Sequence, residues 1–154
     1  MKKILSAFTI GALFLFSATV SYGEGNLAKQ KPIELIIEMN ETKEGRMIFK
    51  PDNIVFETGK LYKVRLQNKG KIKHEIESEL ISNAAYTRKI QILDGNKNGA
   101  LVAEVKSSGI KEIEVGPGYE VEWWFVPIAT GKAQFVCALP GHLEAGMYGN
   151  MEFK

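Results

Sequence analysis

Among 154 residues there are one cysteine, two histidines and two tryptophans, so few side chains are available for chemistry. A lone cysteine excludes an internal disulfide and leaves intermolecular pairing, a reactive thiol or a metal-bound thiolate. An excess of one charge is also lacking. Lys plus Arg number 20 against 18 Asp plus Glu, and residues 1–23 hold Lys2 and Lys3 but no acid, so the remainder carries 20 − 2 = 18 against 18. The slight basic balance belongs to that N-terminal stretch and gives no argument for nucleic-acid binding, so no nucleic-acid partner is expected. Long apolar runs are absent beyond residues 4–20. No second segment could cross a bilayer. Repeats, low-complexity tracts and sustained helical periodicity are missing too, which argues against an array or a helical bundle.

The N-terminus combines Met1-Lys2-Lys3, the apolar run and Ser21-Tyr22-Gly23. A basic start, an apolar middle and small residues before a cut describe a secretory signal peptide at 1–23, cleaved near Gly23-Glu24. The run is short and polar-dotted for a retained anchor. Export to the periplasm is therefore expected, with no stable membrane insertion after cleavage. About 130 residues would remain, enough for one domain with its own core.

That remainder shows apolar–polar alternation broken by turn residues, the pattern of an all-β sandwich or barrel. Residues 33–39 read as a first strand. Residues 46–49 and 53–56 flank Pro51-Asp52, which marks a broken or edge strand, because proline has no N–H for a ladder. In 61–67, Tyr62, Val64 and Leu66 face one way and Lys63, Arg65 and Gln67 the other, before Asn68-Lys69-Gly70 turns the chain. In 73–79, strand parity puts His74 with Ile76 on the core face and Glu75, Glu77 and Glu79 on the opposite one. A helical turn is expected at 82–86. Strands at 89–93 and 100–105 enclose a hairpin turn at 94–99. Strands at 110–115 and 120–126 flank Gly116-Pro117-Gly118, with Val121, Trp123 and Phe125 toward the core. Residues 132–137 point Phe135 and Cys137 inward, and 149–153 close the sheet. The expected fold is a two-sheet sandwich of about eight strands at 33–154, after a flexible lead-in at 24–32.

The chemistry is concentrated near the C-terminus, where Cys137-x4-His142-x4-Met147 lies in a loop bent by Pro140, Gly141 and Gly146. Taken singly, a buried cysteine, a loop histidine and a core methionine are ordinary. Together in a chain this poor in such residues they form a set of soft and borderline donors suited to copper. Two histidines, a cysteine and a weak axial methionine make a blue-copper arrangement. His74 is the remaining histidine and the candidate for the second imidazole, by elimination and by parity. Met151 competes with Met147 as axial donor but sits in the closing strand. Zinc uses some of the same donors, but methionine is a poor zinc ligand. A Cys137–His142 catalytic dyad lacks an orienting third group nearby. A metal-free sandwich with a merely buried Cys137 is a further alternative.

The segment Phe135-Val136-Cys137-Ala138-Leu139-Pro140-Gly141-His142, with Gly146-Met147 after it and Asn68-Lys69-Gly70-Lys71-Ile72-Lys73-His74 before it, resembles the ligand regions of the cupredoxin family. These are small copper proteins of the azurin, plastocyanin and rusticyanin kind. The likeness is nearest to periplasmic members, some associated with copper resistance. It covers essentially the whole of 33–154 and implies an eight-stranded Greek-key sandwich with copper near one end. By position, it implies one type 1 copper per chain, with His74, Cys137 and His142 as trigonal ligands and Met147 as axial ligand. It further implies a monomeric electron carrier rather than an enzyme, because two histidines cannot supply extra copper centres. Bulk copper storage is not expected, because clusters of extra methionines and histidines are missing. A redox partner, such as a cytochrome or a copper oxidase or reductase, would dock on an apolar rim of Leu139, Pro140, Leu143, Ala145 and Met147 around His142. His142 would be the ligand nearest solvent. Copper tolerance, sequestration or delivery through the same site is the alternative function. Glu75 departs from the pattern, since many relatives have a small polar residue there that ties the ligand segments together. A carboxylate at that position could stay in solvent or lie near the copper, where it would lower the potential.

Overall fold

The computed structural model describes residues 27–105 and 109–154. The expected leader at 1–23 and the first part of the lead-in lie outside these residues. One sheet contains β1 (Ile33–Glu41), β2 (Met47–Lys50), β4 (Tyr62–Asn68), β6 (Ala85–Asp94), β7 (Ala100–Val105) and β9 (Tyr119–Pro127). The other contains β3 (Asn53–Phe56), β5 (His74–Glu77), β8 (Glu112–Val115), β10 (Gly131–Val136) and β11 (Tyr148–Phe153). Their orders are β2-β1-β4-β9-β6-β7 and β3-β11-β10-β5-β8. Both sheets are mixed, with β1 parallel to β4 and β11 parallel to β3 among otherwise antiparallel pairs. This is the expected two-sheet sandwich.

The described residues form eleven strands rather than about eight, one for each segment that alternates in the sequence, with the chain broken at Pro51 counted as two. Pro51 falls between β2 and β3, and each half becomes the edge of a different sheet. Edges are where a residue without an N–H is tolerated.

The alternation read from β4 and β9 sets the core. Tyr62, Val64 and Leu66 pair across with Phe125, Trp123 and Val121, and all six are buried. Opposite them Phe56 and Phe153 complete an aromatic cluster, Phe56 standing edge-on to Tyr62 at 4.7 Å and to Phe125 at 5.1 Å. Burying each of these side chains contributes roughly 1.5–3 kcal/mol, so this cluster fixes how the sheets face each other. A second contact, Phe49 to Phe135 at 4.9 Å, packs the sandwich beneath the C-terminal loop.

Two local expectations need correction. The strand expected over 73–79 stops at Glu77, and the helical turn expected at 82–86 is α1 (Glu79–Ala84). Ser78 ends the strand and starts the helix, because its hydroxyl accepts from the Leu80 N–H, an N-cap bond. The same hydroxyl donates to the Gln134 carbonyl, which anchors the helix on β10. Ala85 and Tyr86 have already entered β6. The second correction concerns Glu75. It was placed on the face opposite the core, yet it is 6% exposed. The cause lies where β5 parts from β10.

Candidate metal centre

Strands β5 and β10 share a single register pair, Glu77 with Val136. Beyond that pair they diverge, and side chains replace the missing ladder. The Glu75 N–H donates to Cys137 Sγ at 3.3 Å. The Glu75 carboxylate turns back across the gap and accepts from the Ala138 N–H at 2.9 Å. Glu75 therefore joins the two ligand segments itself. Burial pushes its carboxyl pKa up, against the pull of the Ala138 N–H. The neighbouring Glu112, Glu77 and Glu114 push it further up.

The loop after β10 is closed by its own backbone. The His142 N–H donates to the Leu139 carbonyl, Ala145 to Gly141, Gly146 to Leu143, Met147 to His142, and Cys137 to Met147, at 2.9–3.1 Å. Two of these turns need a left-handed backbone, at Gly141 (φ 83°) and Gly146 (φ 95°), which explains glycine at both positions. The loop is also tied to β2, whose Met47 N–H donates to the Ala145 carbonyl.

His74 opens β5, paired with Val115 of β8. The loop before it is held by buried Asn68. Its amide donates to the carbonyls of Ile72 (2.8 Å) and Val115 (2.7 Å), while its own oxygen accepts from the Gly70 N–H (2.9 Å).

These two segments bring three of the four expected ligands together. His74 Nδ1 lies 3.3 Å from His142 Nδ1, and Cys137 Sγ lies 3.2 Å from His142 Nδ1. One donor atom from each of the three residues falls within 4.8 Å of the others. Bonds of roughly 2.0–2.3 Å to nitrogen and sulfur place a single ion inside such a triangle, so the donor set fits a metal. The outer nitrogen of His74, Nε2, meets the Glu41 carboxylate at 2.8 Å. With the ring proton there, Nδ1 presents its lone pair to the cluster.

Met147 is fully buried and backbone-bonded to both Cys137 and His142, which seats it at the base of the loop. Met151 lies in β11 opposite Ala133. His74, Cys137 and Met147 are each 0% exposed and His142 is 7% exposed, so His142 reaches closest to solvent. Burial of Met147 removes it from the apolar rim expected around His142. Leu143 (45% exposed) remains on that rim, and Tyr148 (49% exposed), which the sequence reading omitted, follows Met147.

Burial pushes the His74 imidazolium below the ordinary histidine range. Glu41 resists this shift and His142 adds to it. Burial pushes the Cys137 thiol up, although the N–H groups of Glu75 and Leu139 pull it down. The metal-free thiol is therefore protonated at neutral pH, and binding a soft cation must release that proton.

The supporting residues Glu41 and Asn68 were not singled out by sequence reasoning. Asn68 had appeared only within a turn and as the first residue of the quoted segment before His74, with no role of its own, and no local pattern marked Glu41. The position of Glu75, directly after a candidate ligand, was the one usable signal.

A β-sandwich that gathers two imidazoles and a thiol at one end defines a class, and the sequence agrees. Residues 37–154 match the plastocyanin/azurin family of copper binding proteins, and the chain belongs to that family. Two relatives are described as copper-resistant cuproprotein CopI. The one from Rubrivivax gelatinosus is 27% identical over 137 residues, covering 87% of this chain and 74% of its own. The one from Pseudomonas aeruginosa is 26% identical over 170 residues, covering 95% and 93%. Among solved structures, a copper-containing nitrite reductase from Thermus scotoductus superposes with a TM-score of 0.60 at 17% identity, over 81% of this chain and 32% of that one. The chain spans about a third of that solved chain, and the likeness is one of fold alone.

Proposed function

We propose that this chain is an exported mononuclear type 1 copper protein that carries single electrons. The observation that carries this reading is the convergence of His74 Nδ1, His142 Nδ1 and Cys137 Sγ in a buried cluster. These three would be the trigonal ligands, with Met147 as the weak axial donor. A copper ion held there would supply one-electron exchange between its +2 and +1 states.

The chain's own contribution is positional. The Glu75 N–H bond to the sulfur and the Glu75 carboxylate bond to Ala138 keep both segments in register. The self-closed loop fixes His142 and Met147, and burial keeps water away from the sulfur. His142, the ligand with residual exposure, is the electron's way in or out. A redox donor or acceptor, such as a cytochrome or a copper oxidase or reductase, would dock over Leu143 and Pro140 beside it, using a small interface suited to brief encounters. No catalytic role is assigned, because both histidines of the sequence serve this one centre. The basic-apolar-small pattern of residues 1–23 supports export to the periplasm.

The descriptions of the two CopI relatives favour a second reading, in which the same site serves copper tolerance by sequestration or delivery.

The processed chain titrated with copper(II) tests the site. An intense blue or green thiolate band is expected, abolished in Cys137→Ala. Met147→Leu should shift the spectrum or potential while retaining metal. A colourless wild type, or colour retained in Cys137→Ala, refutes the ligand set. Fast electron self-exchange favours the carrier. Copper sensitivity on deletion, with slow self-exchange in the purified protein, favours tolerance.

A further inference from the structure

Glu41 is the last residue of β1, far from both ligand segments in sequence, yet its carboxylate fills the hollow behind His74. One oxygen meets His74 Nε2 at 2.8 Å. The two oxygens also accept from the Lys71 N–H (2.9 and 3.2 Å), and one of them from the Ile72 N–H (3.4 Å). The hollow exists because residue 70 is glycine. A Cβ there would run into the carboxylate, with Glu41 Cδ only 2.8 Å away. The strand end that carries Glu41 reaches the other ligand segment as well. Glu41 pairs in register with Met47, and the Met47 N–H donates to the Ala145 carbonyl of the Cys137–His142 loop.

We propose that Glu41 is the positioning residue of the His74 ligand, seated by Gly70 and acting through His74 Nε2. This inference rests on the copper-site reading above. By accepting a hydrogen bond from the Nε2–H, the carboxylate holds the ring in the tautomer whose Nδ1 lone pair faces His142 and Cys137. A carboxylate on the outer nitrogen makes a histidine ligand a stronger donor, and loss of such a partner typically weakens metal binding about 10–100-fold. Its negative charge favours the more positive metal state. The oxidised site is therefore stabilised more than the reduced one, and Glu41 holds the potential down. The Glu41 side chain is 22% exposed and its partner ring is fully buried, so solvent screens the pair less than it would two surface charges.

The test uses the copper-loaded full processed chain with Glu41→Gln, Glu41→Ala and Gly70→Ala. Glu41→Gln keeps the shape and removes the charge. Gly70→Ala keeps the charge and displaces it. In all three the potential should rise, and copper(II) affinity should fall about 10–100-fold in Glu41→Ala and less in Glu41→Gln. The second readout is nitrogen-15 NMR of the reduced and the metal-free protein. It should show a slowly exchanging proton on His74 Nε2 in the wild type that exchanges rapidly in Glu41→Ala. A structural role alone would lower stability without moving the potential of the folded Glu41→Gln protein. Unchanged potentials in Glu41→Gln and Gly70→Ala, or an unprotected His74 Nε2 proton in a coloured wild type, overturn this inference and leave the site reading intact. A wild type that takes up no copper overturns both.

Discussion

The two segments that supply the candidate ligands are built in opposite ways. The Cys137–Met147 loop supplies three of the four candidate donors and closes on itself through backbone bonds between near neighbours. The His74 segment supplies one donor and is held by side chains: Asn68 bonds within it to Ile72 and Gly70 and reaches across to Val115, and Glu41 arrives from another strand. One segment is a local structure that needs an anchor, and the other is a set of long-range contacts that happens to hold a histidine. Sequence fidelity is therefore concentrated within the first and dispersed over distant positions for the second.

Four substitutions probe that contrast. The largest expected effect is Gly149→Ala, on the anchor of the self-closed loop. Gly149 pairs with Phe135, and a Cβ there would collide with the Phe135 ring, whose Cε1 would lie 2.7 Å away, and with the Asp52 carbonyl. Backbone cannot move aside easily, so about 3 kcal/mol should be lost in denaturant unfolding. A loss under about 1 kcal/mol would mean that the loop tolerates a shifted anchor.

Asn68→Ala attacks the other segment. It leaves the Ile72 and Val115 carbonyls without their donor, at about 1–3 kcal/mol. Copper uptake should suffer through His74 while the Cys137 loop keeps its fold, which amide exchange of residues 137–147 would show. Protection lost equally in both segments would erase the distinction.

Glu75 links the two, and its substitution should change the potential more than the stability. With a carboxylate bonded to Ala138 beside the sulfur, Glu75→Gln should raise the potential by less than one tenfold step in the Cu(II)/Cu(I) affinity ratio, about 59 mV for one electron. No change, or a fall, contradicts the assignment.

The smallest effect belongs to a pair remote from both segments. Burial pushes the Glu122 carboxyl up, but bonds and charges from Arg65 and Lys63 outweigh it and hold its pKa below the ordinary carboxylate range. A carboxyl depressed in the folded state stabilises fully above its unfolded value. That stabilisation is lost as pH falls through the folded one. Thermal unfolding between pH 7 and pH 3 should therefore decline less steeply in Glu122→Gln than in wild type, with copper colour at pH 7 unaffected. Equal slopes would show that the pair is screened out by solvent.

The same contrast explains what could be read from the sequence. Cys137, His142 and Met147 stand out as candidate donors because they are close together, and the alternation in β4 and β9 gave the core because a strand's period is local. His74 could be found only because the chain has no other histidine to offer. Glu41 and Asn68 leave no mark, because a carboxylate at a strand end and an amide in a turn look alike whether or not a partner waits across the fold. Parity failed at Glu75 for a physical reason. Alternation assumes that one face of a strand meets solvent, and at the diverging end of β5 both faces are covered. Ser78 was passed over as a cap because the glutamates around it continued the strand's alternation.

The single rung between β5 and β10 has a last consequence. Where the sheet comes unzipped, polar backbone is met by a sulfur and a carboxylate that belong to the centre itself. The opening in which an ion would sit is thus framed by groups already committed to one another. A frame bonded in this way would limit how far its walls move when an ion inside changes its charge.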